Sequence, residues 1–288
     1  MAELTLSEVS YVYSAETPFE KTALNNINLT IKSGIITGLI GHTGSGKSTL
    51  VQLLNGLLKP TSGKILLDGK DLWENPKDIT QVRFNVGLVM QYPEYQLFEE
   101  TVKKDIEYGP NNMGLDAGEI ENRVKEAAFF CGITDDMLEK SPFDLSGGQK
   151  RRVAIAGVMA IRPKILILDE PAAGLDPVGR EDILGGIRTF QKQTGTTVII
   201  VSHSMEDMAV YCDEIVVMNK SSVYMQGKTN EIFSNAEKLI DVGLDVPQIT
   251  HLFIKLKQLG VNVSENIFTV EDAKKELLSH LKNKEGSK

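Results

Sequence analysis

A glycine-rich run near the start of the chain has the composition and spacing of a phosphate-binding loop. Residues 41–48 match the pattern G-x-x-x-x-G-K-[ST], with an apolar run before them and a helical pattern after them. In such a loop, backbone N–H groups turn inward around phosphate oxygens, and the helix N-terminus adds partial positive charge. We expect Lys47 to reach the β and γ phosphates and Ser48 to offer its hydroxyl to Mg²⁺. The predicted phosphate loop consists of Gly41, His42, Thr43, Gly44, Ser45, Gly46, Lys47 and Ser48, with Thr49 adjoining it.

Two adjacent carboxylates follow a second apolar run. Ile165–Leu168 reads as a buried strand, and Asp169 and Glu170 come directly after it. Because a strand places successive side chains on opposite faces, the two carboxylates have different tasks. We assign Mg²⁺ to Asp169, and to Glu170 the orientation or deprotonation of an attacking water. An acidic strand end that only makes a turn is the alternative for this pair alone, and the phosphate loop favours hydrolysis.

The elements that must position these groups alternate along the chain. Short apolar runs separated by amphipathic stretches predict a mainly parallel sheet covered on both faces, and Leu4–Tyr13 alternates as in an antiparallel flank. The predicted strands are Ile35–Ile40, Ile65–Leu67, Val86–Met90, Ile165–Leu168 and Val198–Val201. The predicted helices are Ser48–Leu58, Ala117–Cys131, Lys150–Ile161 and Arg180–Lys192.

Two segments depart from this alternation. Residues from about 92 to 160 read as helix and loop, which predicts a helical subdomain inserted in a domain of residues 1–230. Residues 231–288 predict a small C-terminal helical extension. In it, Pro247 stands as the first residue of a helix that stops at Gly260, and a second helix covers Thr269–Leu281.

Charge and composition limit the function. The chain has 31 basic and 39 acidic residues, and this acidic balance argues against a protein that neutralises nucleic-acid phosphates. Residues 92–145 hold 13 acidic and 5 basic residues, so their net charge of −8 equals that of the whole chain. Cys131 and Cys212 fit free thiols in a reducing compartment. No apolar run approaches the roughly 20 residues of a membrane span, and the first residues do not read as an export signal. We therefore expect a cytoplasmic chain whose membrane role, if any, comes through a partner.

A further motif carries a resemblance to a known family. Residues 145–149 read Leu-Ser-Gly-Gly-Gln, a capping box ahead of a helix, and they lie 20 residues before the strand that ends in Asp-Glu. This arrangement resembles the signature motif of ATP-binding cassette (ABC) proteins, formed here by Leu145, Ser146, Gly147, Gly148 and Gln149.

Other residues match the same family in the same order. Gln91 resembles its Q-loop glutamine, residues 173–176 its D-loop with Asp176, and His203 its switch histidine. Tyr13 resembles the aromatic that stacks on adenine, and Tyr11 is the alternative. The similarity covers about residues 4–227.

The resemblance implies a fold and a mechanism. It implies an α/β P-loop NTPase cassette, with a RecA-like parallel sheet core, an antiparallel flank and an inserted helical subdomain. Two cassettes then pack head to tail, with each ATP between one phosphate loop and the opposite signature motif. Gln91 joins Ser48 and Asp169 at the metal, His203 contacts the γ-phosphate, and Asp176 lies near the dimer seam.

A subfamily is also indicated. Residues 91–102, Gly109-Pro110, 169–177 and 243–248 are similar to the ATPases of energy-coupling factor (ECF) importers of vitamins and metal ions. The His-Thr pair of the phosphate loop and the Tyr-Pro-Glu-Tyr run favour the second of that family's two paired ATPases. The implied partners are a second ATPase, a transmembrane coupling protein and a substrate-binding membrane protein, which would hold this chain peripherally at the cytoplasmic face of the membrane. The resemblance also implies that the C-terminal extension contributes to dimerisation. We expect Glu94, Glu99 and Glu100 to belong to an acidic docking surface for the coupling protein, and a solvated helical face that aids solubility is the alternative for most of the 13 acidic residues.

Two other functions remain open from the sequence. One is a soluble ABC ATPase acting on nucleic acid or ribosomes, although such proteins usually carry two cassettes or a long insertion. The other is an ATP-binding switch that does not hydrolyse ATP, and the presence of Glu170 and His203 argues against it. A homodimer and a heterodimer use the same motifs, and the transported substrate leaves no trace in this sequence.

Overall fold

The computed structural model describes residues 3–285, and the side chains of residues 3–279. Met1 and Ala2, on which the expectation of no export signal partly rests, lie outside the described residues. The strands are β1 Leu4–Tyr13, β2 Lys21–Ile31, β3 Ile36–Gly41, β4 Ser62–Leu67, β5 Lys70–Asp71, β6 Val86–Val89, β7 Ile165–Asp169, β8 Thr197–Val201, β9 Glu214–Asn219 and β10 Ser222–Lys228. The helices are α1 Lys47–Leu54, α2 Ile79–Asn85, α3 Val102–Asn112, α4 Ala117–Phe130, α5 Asp135–Leu138, α6 Gly147–Met159, α7 Pro177–Thr194, α8 Met205–Tyr211, α9 Thr229–Phe233, α10 Ala236–Asp241, α11 Gln248–Gln258 and α12 Val270–Glu285.

The larger sheet has six strands in the order β10-β9-β3-β8-β7-β6. All its pairs are parallel except β10 with β9. Val201 of β8 lies opposite both Leu39 of β3 and Asp169 of β7. Because parallel strands bring their carboxyl ends to one edge, this register places the residues that follow β3, β7 and β8 side by side.

The smaller sheet is the predicted antiparallel flank. Its four strands run in the order β2-β1-β4-β5, and β1 pairs antiparallel with both β2 and β4. One apolar cluster joins this sheet to α1 and to one face of the large sheet, through residues such as Leu50, Leu54 and Ile167. The opposite face, through residues such as Leu166 and Leu168, packs in a second cluster with α4, α6 and α7. Burial on both faces explains why β7 is continuously apolar.

The expected fold class is confirmed, and some element limits differ from prediction. The helix predicted over Ser48–Leu58 ends at Leu54, because Gly56 adopts a left-handed conformation with φ +70°. Pro247 lies just before α11, in the capping position, and not at its first helical residue. The sequence analysis missed β2, β9, β10 and α8. Of these, β9 is a buried parallel strand whose continuous apolar run at residues 215–218 was an available signal.

The segments outside the alternation pack in two ways. Helices α3 to α6 occupy most of residues 92–160 and lie against the second cluster. Within the extension, Phe233, Leu239 and Val246 also join that cluster. A separate small cluster forms only beyond them, around Phe253 and Ile267. The residues just after 230 therefore pack as part of the main body, and independent packing starts at α11.

One ion pair ties three elements beneath the large sheet. Both terminal nitrogens of Arg188, on α7, lie 2.8 Å from the carboxylate oxygens of Asp213, which also accepts the Ile36 N–H at 2.8 Å. Burial raises the pKa of Asp213, but the hydrogen bonds from Arg188 and Ile36 outweigh it and leave the pKa below its usual value. This pair fixes the start of β3 and of β9 relative to α7.

Replacing that carboxylate should cost stability in a pH-dependent way. We expect Asp213→Asn to lower the free energy of unfolding by about 1.5–3 kcal/mol at pH 7, the range for hydrogen bonds to charged groups. Since the folded-state pKa is lowered, the parent keeps this stability above the usual aspartate range and loses it as pH falls through the folded-state value. Denaturant unfolding at pH 7 and at about pH 3 should therefore show a difference that shrinks in acid. The exposed Asp241→Asn is the control, and a difference that does not change with pH would contradict the assignment.

Candidate active site

A cleft of about 340 Å³ opens at the carboxyl edge of the large sheet. It gathers the phosphate loop after β3, the carboxylates after β7 and the histidine after β8, as the register requires. Its lining comprises Tyr13, Lys21, Thr22, Ala23, Thr43, Gly44, Gly46, Lys47, Ser48, Thr49, Gln91, Asp169, Glu170, Val201 and His203. Most residues predicted from the sequence to bind nucleotide or metal therefore meet in one place.

The phosphate loop is held in a conformation that needs its glycines. Gly46 has φ +107°, and a Cβ there would lie 2.7 Å from the backbone oxygen of Ala23. Gly41 approaches the end of β9, where a Cβ would lie 2.5 Å from the Met218 oxygen. The first turn of α1 has no side-chain cap, so its N–H groups have the arrangement that binds anions.

Lys47 folds back over this loop. Its Nζ donates to the backbone oxygens of Gly41 at 2.5 Å and His42 at 3.2 Å. Burial lowers the pKa of the Lys47 ammonium, and the carboxylates of Glu170 and Asp169 oppose part of that shift. The ammonium therefore lies between the loop and the acidic pair, where it can bind phosphate oxygens.

Glu170 has the most perturbed carboxyl group of the cleft. Its backbone is left-handed with φ +53°, and its N–H donates to the Val201 oxygen at 2.9 Å. Its Oε1 is buried without a hydrogen-bond partner among the described residues, 3.7 Å from Nε2 of His203. Burial, with the charge of Asp169, raises the pKa of Glu170 to about 7, although Lys47 opposes this. A carboxyl group with such a pKa can accept a proton near neutral pH.

The donor set of the cleft fits Mg²⁺ bound together with a nucleotide. The Ser48 hydroxyl, the Gln91 amide oxygen and the Asp169 carboxylate all line it, and hard oxygen donors are the ligands that this ion prefers. Burial raises the pKa of Asp169, while Lys47 lowers it. An orphaned oxygen on Glu170 and a raised carboxyl pKa at Asp169 are what a cation at this position would relieve.

One of the two candidate tyrosines lines the cleft. The hydroxyl group of Tyr13 lies 3.2 Å from Oγ1 of Thr49, at the first turn of α1. Tyr11 packs edge-on against Tyr13, with ring centroids 4.8 Å apart, and is not part of the lining. Of the two alternatives, the structure presents Tyr13 to the cleft.

The signature segment lies outside the cleft. Ser146 and Gln149 form the predicted capping box at the start of α6, with hydrogen bonds of 3.0 and 3.3 Å, and Leu145 is buried beneath them. A Cβ at Gly148 would lie 3.3 Å from Leu175. The neighbouring Asp176 caps α7 by accepting the Gly179 N–H at 2.7 Å. The structure thus groups Leu145–Gln149 with Asp176 and not with the phosphate loop of the same chain.

Arg151 is a residue that the sequence analysis missed. This buried arginine of α6 holds the Glu94 carboxylate with two hydrogen bonds, of 2.8 and 3.1 Å, and also donates to the Ala173 backbone oxygen. Burial raises the pKa of Glu94, but the hydrogen bonds to Arg151 outweigh it and lower the pKa overall. Residues 151, 155, 156 and 159 lie along one buried face of α6. An arginine on this otherwise apolar face could have indicated a buried ion pair from the sequence.

This pair corrects one expectation from the sequence. Glu94 was expected to belong to an acidic docking surface, but its carboxylate is engaged inside the chain by Arg151. Glu100 lies at the surface just before α3 and pairs with Lys104 of that helix at 2.6 Å. Glu94 therefore offers no free negative charge to a docking partner.

No helix in residues 3–285 is both long and apolar enough to cross a bilayer.

Residues 24–173 match the family model of the ABC transporter. The chain is 54% identical over 281 residues to the energy-coupling factor transporter ATP-binding protein EcfA2 of Clostridium perfringens (97% of this chain and 99% of that protein). It is 47% identical over 279 residues to the protein of the same name from Streptococcus pyogenes (96% of this chain and 99% of that protein).

Solved structures agree with the sequence relatives. The structure described as cbiO1 from Clostridium perfringens, part of the ABC transporter complex cbiONQ, superposes with a TM-score of 0.74 at 43% identity, over 86% of this chain and 97% of that one. The ATP-binding cassette MJ0796, described as a dimer in a post-hydrolysis state bound to ADP and Pi, gives a TM-score of 0.70 at 27% identity, over 78% and 98%. The chain therefore belongs to the ABC transporter family and, within it, to the ATP-binding proteins of energy-coupling factor transporters.

Proposed function

We propose that this chain is the ATP-hydrolysing subunit that energises an ECF-type importer, and that it acts as the second of two paired ATPases. The observation that carries the proposal is the cleft in which Lys47, Glu170 and His203 converge on one space beside the metal donor set. Full-length similarity to ECF ATP-binding proteins supports transport over action on nucleic acid or ribosomes. Vitamins or metal ions are the substrates that the resemblance implies, and their recognition belongs to another subunit.

The chemistry is a transfer of the γ-phosphoryl group of ATP to water. Glu170 orients the water and accepts its proton as the oxygen attacks phosphorus, and the bond between the γ-phosphorus and the β,γ-bridging oxygen breaks. Lys47 and the loop N–H groups stabilise charge on the phosphates, and His203 contacts the γ-phosphate. Mg²⁺, when bound by Ser48, Gln91 and Asp169, neutralises the charge of the β and γ phosphates.

A second chain completes the site. The start of α6 is exposed, and among the described residues nothing outside this helix and the adjoining residues lies within 4 Å of a Cβ built on Gly147. This helix start, with Ser146 and Gly148, can therefore approach a nucleotide held on the phosphate loop of a partner ATPase in a head-to-tail dimer. The related cassette described as dimeric with ADP and Pi supports the formation of a dimer. ATP binding would close the dimer, and hydrolysis would reopen it.

The C-terminal extension provides a further surface for the paired ATPase. Leu252, Leu259 and Val270 of residues 248–285 are exposed, with Leu259 79% accessible. We infer that these solvent-open side chains, on a small appended cluster, contact the paired ATPase. We assign the extension beyond residue 231 to dimerisation.

The docking site for the transmembrane coupling protein lies beside α6, which we call the signature helix because it begins with the signature motif. A groove of about 410 Å³ runs between residues 94–97 and residues 142–150, with Tyr95 84% and Phe143 66% exposed at its sides. Glu99 and Glu100 follow this segment and give its border negative charge. We propose that a cytoplasmic helix of the coupling protein binds in this groove with its arginines facing Glu99 and Glu100. This contact would hold the chain peripherally at the cytoplasmic face of the membrane.

Loss of the phosphate-loop lysine should weaken nucleotide binding itself. Lys47→Ala removes the buried ammonium from the cleft, so ATP affinity should fall by at least about tenfold, the scale of a charge-assisted contact. Calorimetric titration of the full chain with ATP and Mg²⁺ measures this, and the exposed Lys64→Ala serves as control. Equal affinity of Lys47→Ala and the parent would contradict the role of this loop.

Loss of the proposed base should separate binding from turnover. We expect Glu170→Gln to reduce turnover by about 10²-fold or more, because the amide cannot accept the proton, while ATP still binds and holds the dimer closed. Phosphate release by the assembled transporter and size analysis of the ATP-bound chains test the two parts. Glu181→Gln, an exposed change on α7, should leave both unchanged, and undiminished phosphate release by Glu170→Gln would remove Glu170 from the base role.

The docking surface can be tested with the residues that remain at its border. Tagged chain extracted from membranes should bring down a second ATPase and two membrane proteins, and Glu99→Lys with Glu100→Lys should reduce the yield of the coupling protein several-fold. The matched control is Glu8→Lys with Glu74→Lys, at exposed positions outside both the groove and the C-terminal extension. Full recovery of a coupled transporter with both border charges reversed would reject an electrostatic role for them.

A further inference from the structure

The histidine of the phosphate loop joins this loop to a distant turn. Its Nδ1 lies 2.8 Å from the Thr43 backbone oxygen, and its Nε2 lies 3.2 Å from Oδ1 of Asn219, which is 177 residues further along the chain. Because a carbonyl oxygen only accepts, Nδ1 of His42 donates to Thr43. The neutral ring then has only an acceptor at Nε2, so the Asn219 carboxamide donates to it through its NH2 group, which rotation of the amide brings to the position facing the ring. None of the roles assigned above uses the His42 side chain.

Asn219 is a structurally defined point, where β9 ends and turns into β10. Asn219 pairs with Ser222, so the turn has two central residues, Lys220 with φ +45° and Ser221 with φ +64°. A two-residue hairpin favours this left-handed geometry, but residues other than glycine and asparagine adopt it at a cost. A strained turn of this kind is retained only where contacts with neighbouring residues stabilise it.

The same turn is anchored on the opposite wall of the cleft. The Ser221 oxygen accepts the Asn25 N–H at 2.8 Å, and the Ser221 hydroxyl donates to the Thr22 oxygen at 3.4 Å. Thr22 lines the nucleotide cleft together with its neighbours Lys21 and Ala23. The contacts therefore connect the phosphate loop, through His42 and Asn219, to the turn. The turn itself contacts the part of β2 that lines the cleft, residues 21–23, which we call the β2 wall.

The phosphate loop thus meets β2 at two separated points. At its end, Gly46 lies directly against the Ala23 backbone. At its start, His42 is connected to β2 through Asn219 and the turn. A loop fixed at both ends keeps its N–H groups aimed at one position, which reduces the ordering cost of binding phosphates.

We propose that His42 and Asn219 form a positioning pair that holds the phosphate loop at a fixed distance from the β2 wall for the triphosphate of the nucleotide. The proposal rests on the ATP binding proposed above. Glu170 and His203 are placed by β7 and β8, independently of the pair. Loss of the pair should therefore weaken nucleotide binding and leave the rate at saturation unchanged.

A double-mutant cycle tests the pair. Affinity of the full chain for adenylyl imidodiphosphate with Mg²⁺ is measured for the parent, His42→Ala, Asn219→Ala and the double variant. Each single change should weaken binding by about three- to tenfold, the range of one hydrogen bond, and the double variant by no more than the larger single effect. Asn219→Ser, which is too short to reach His42, should match Asn219→Ala. In the assembled transporter, KM for ATP should rise while kcat stays within about twofold.

Gln226→Ala is the matched control. It removes another side-chain hydrogen bond between β10 and β2, from Gln226 Nε2 to the Thr30 oxygen, at a distance of 2.7 Å and away from the cleft. It should bind the analogue like the parent. Unchanged affinity of Asn219→Ala and Asn219→Ser, fully additive effects, or equal weakening by Gln226→Ala would each overturn the proposal. A parent chain that does not bind the analogue would instead overturn the proposed ATPase function.

Discussion

The structure depends on the parallel register of β3, β8 and β7. Val201 stands opposite Leu39 on one side and Asp169 on the other, so the phosphate loop, the carboxylates and the switch histidine all leave the sheet at one edge. A slip of one residue in β7 would turn Asp169 and Glu170 to opposite faces from those they now occupy. Because both faces of these strands are buried, such a slip would also disturb both apolar clusters. Stability of the core and geometry of the cleft are therefore set by the same pairing.

Electrostatics in the cleft follow from this crowding. The cleft brings together Lys47, Asp169 and Glu170 and partly removes them from water. Burial favours the neutral form of each group, so it lowers the pKa of Lys47 and raises the pKa of Asp169 and of Glu170. Such an arrangement is costly in a chain that only needs to fold, and strongly perturbed groups gather where chemistry is done. A triphosphate with its metal supplies the charges that these groups would bind.

A second junction relates the cleft to the surfaces where partners are proposed to bind. Arg151 of the signature helix holds Glu94, which follows Gln91, and the Ala173 oxygen, which follows Glu170. A buried ion pair of this kind contributes less to stability than to a defined geometry, since its desolvation offsets much of its attraction. Through Arg151, a movement of the segment after Gln91 would displace both the signature helix and the D-loop. The proposed docking groove lies beside this junction, so a membrane partner would act on rigidly connected motifs.

The sequence by itself determined the elements whose signals are local. The phosphate loop, the Asp-Glu strand end, the capping box at Ser146 and the buried parallel strands β3, β6, β7 and β8 were predicted, because each depends on residue type and short spacing. Tertiary structure alone decided the partners across long separations: that Tyr13 and not Tyr11 lines the cleft, that Glu94 belongs to Arg151, and that His42 reaches Asn219. It also decided that residues just beyond 230 pack with the main body. These contacts depend on sheet order and strand register, which arise from packing of the whole chain and leave no periodic pattern in the segments they join.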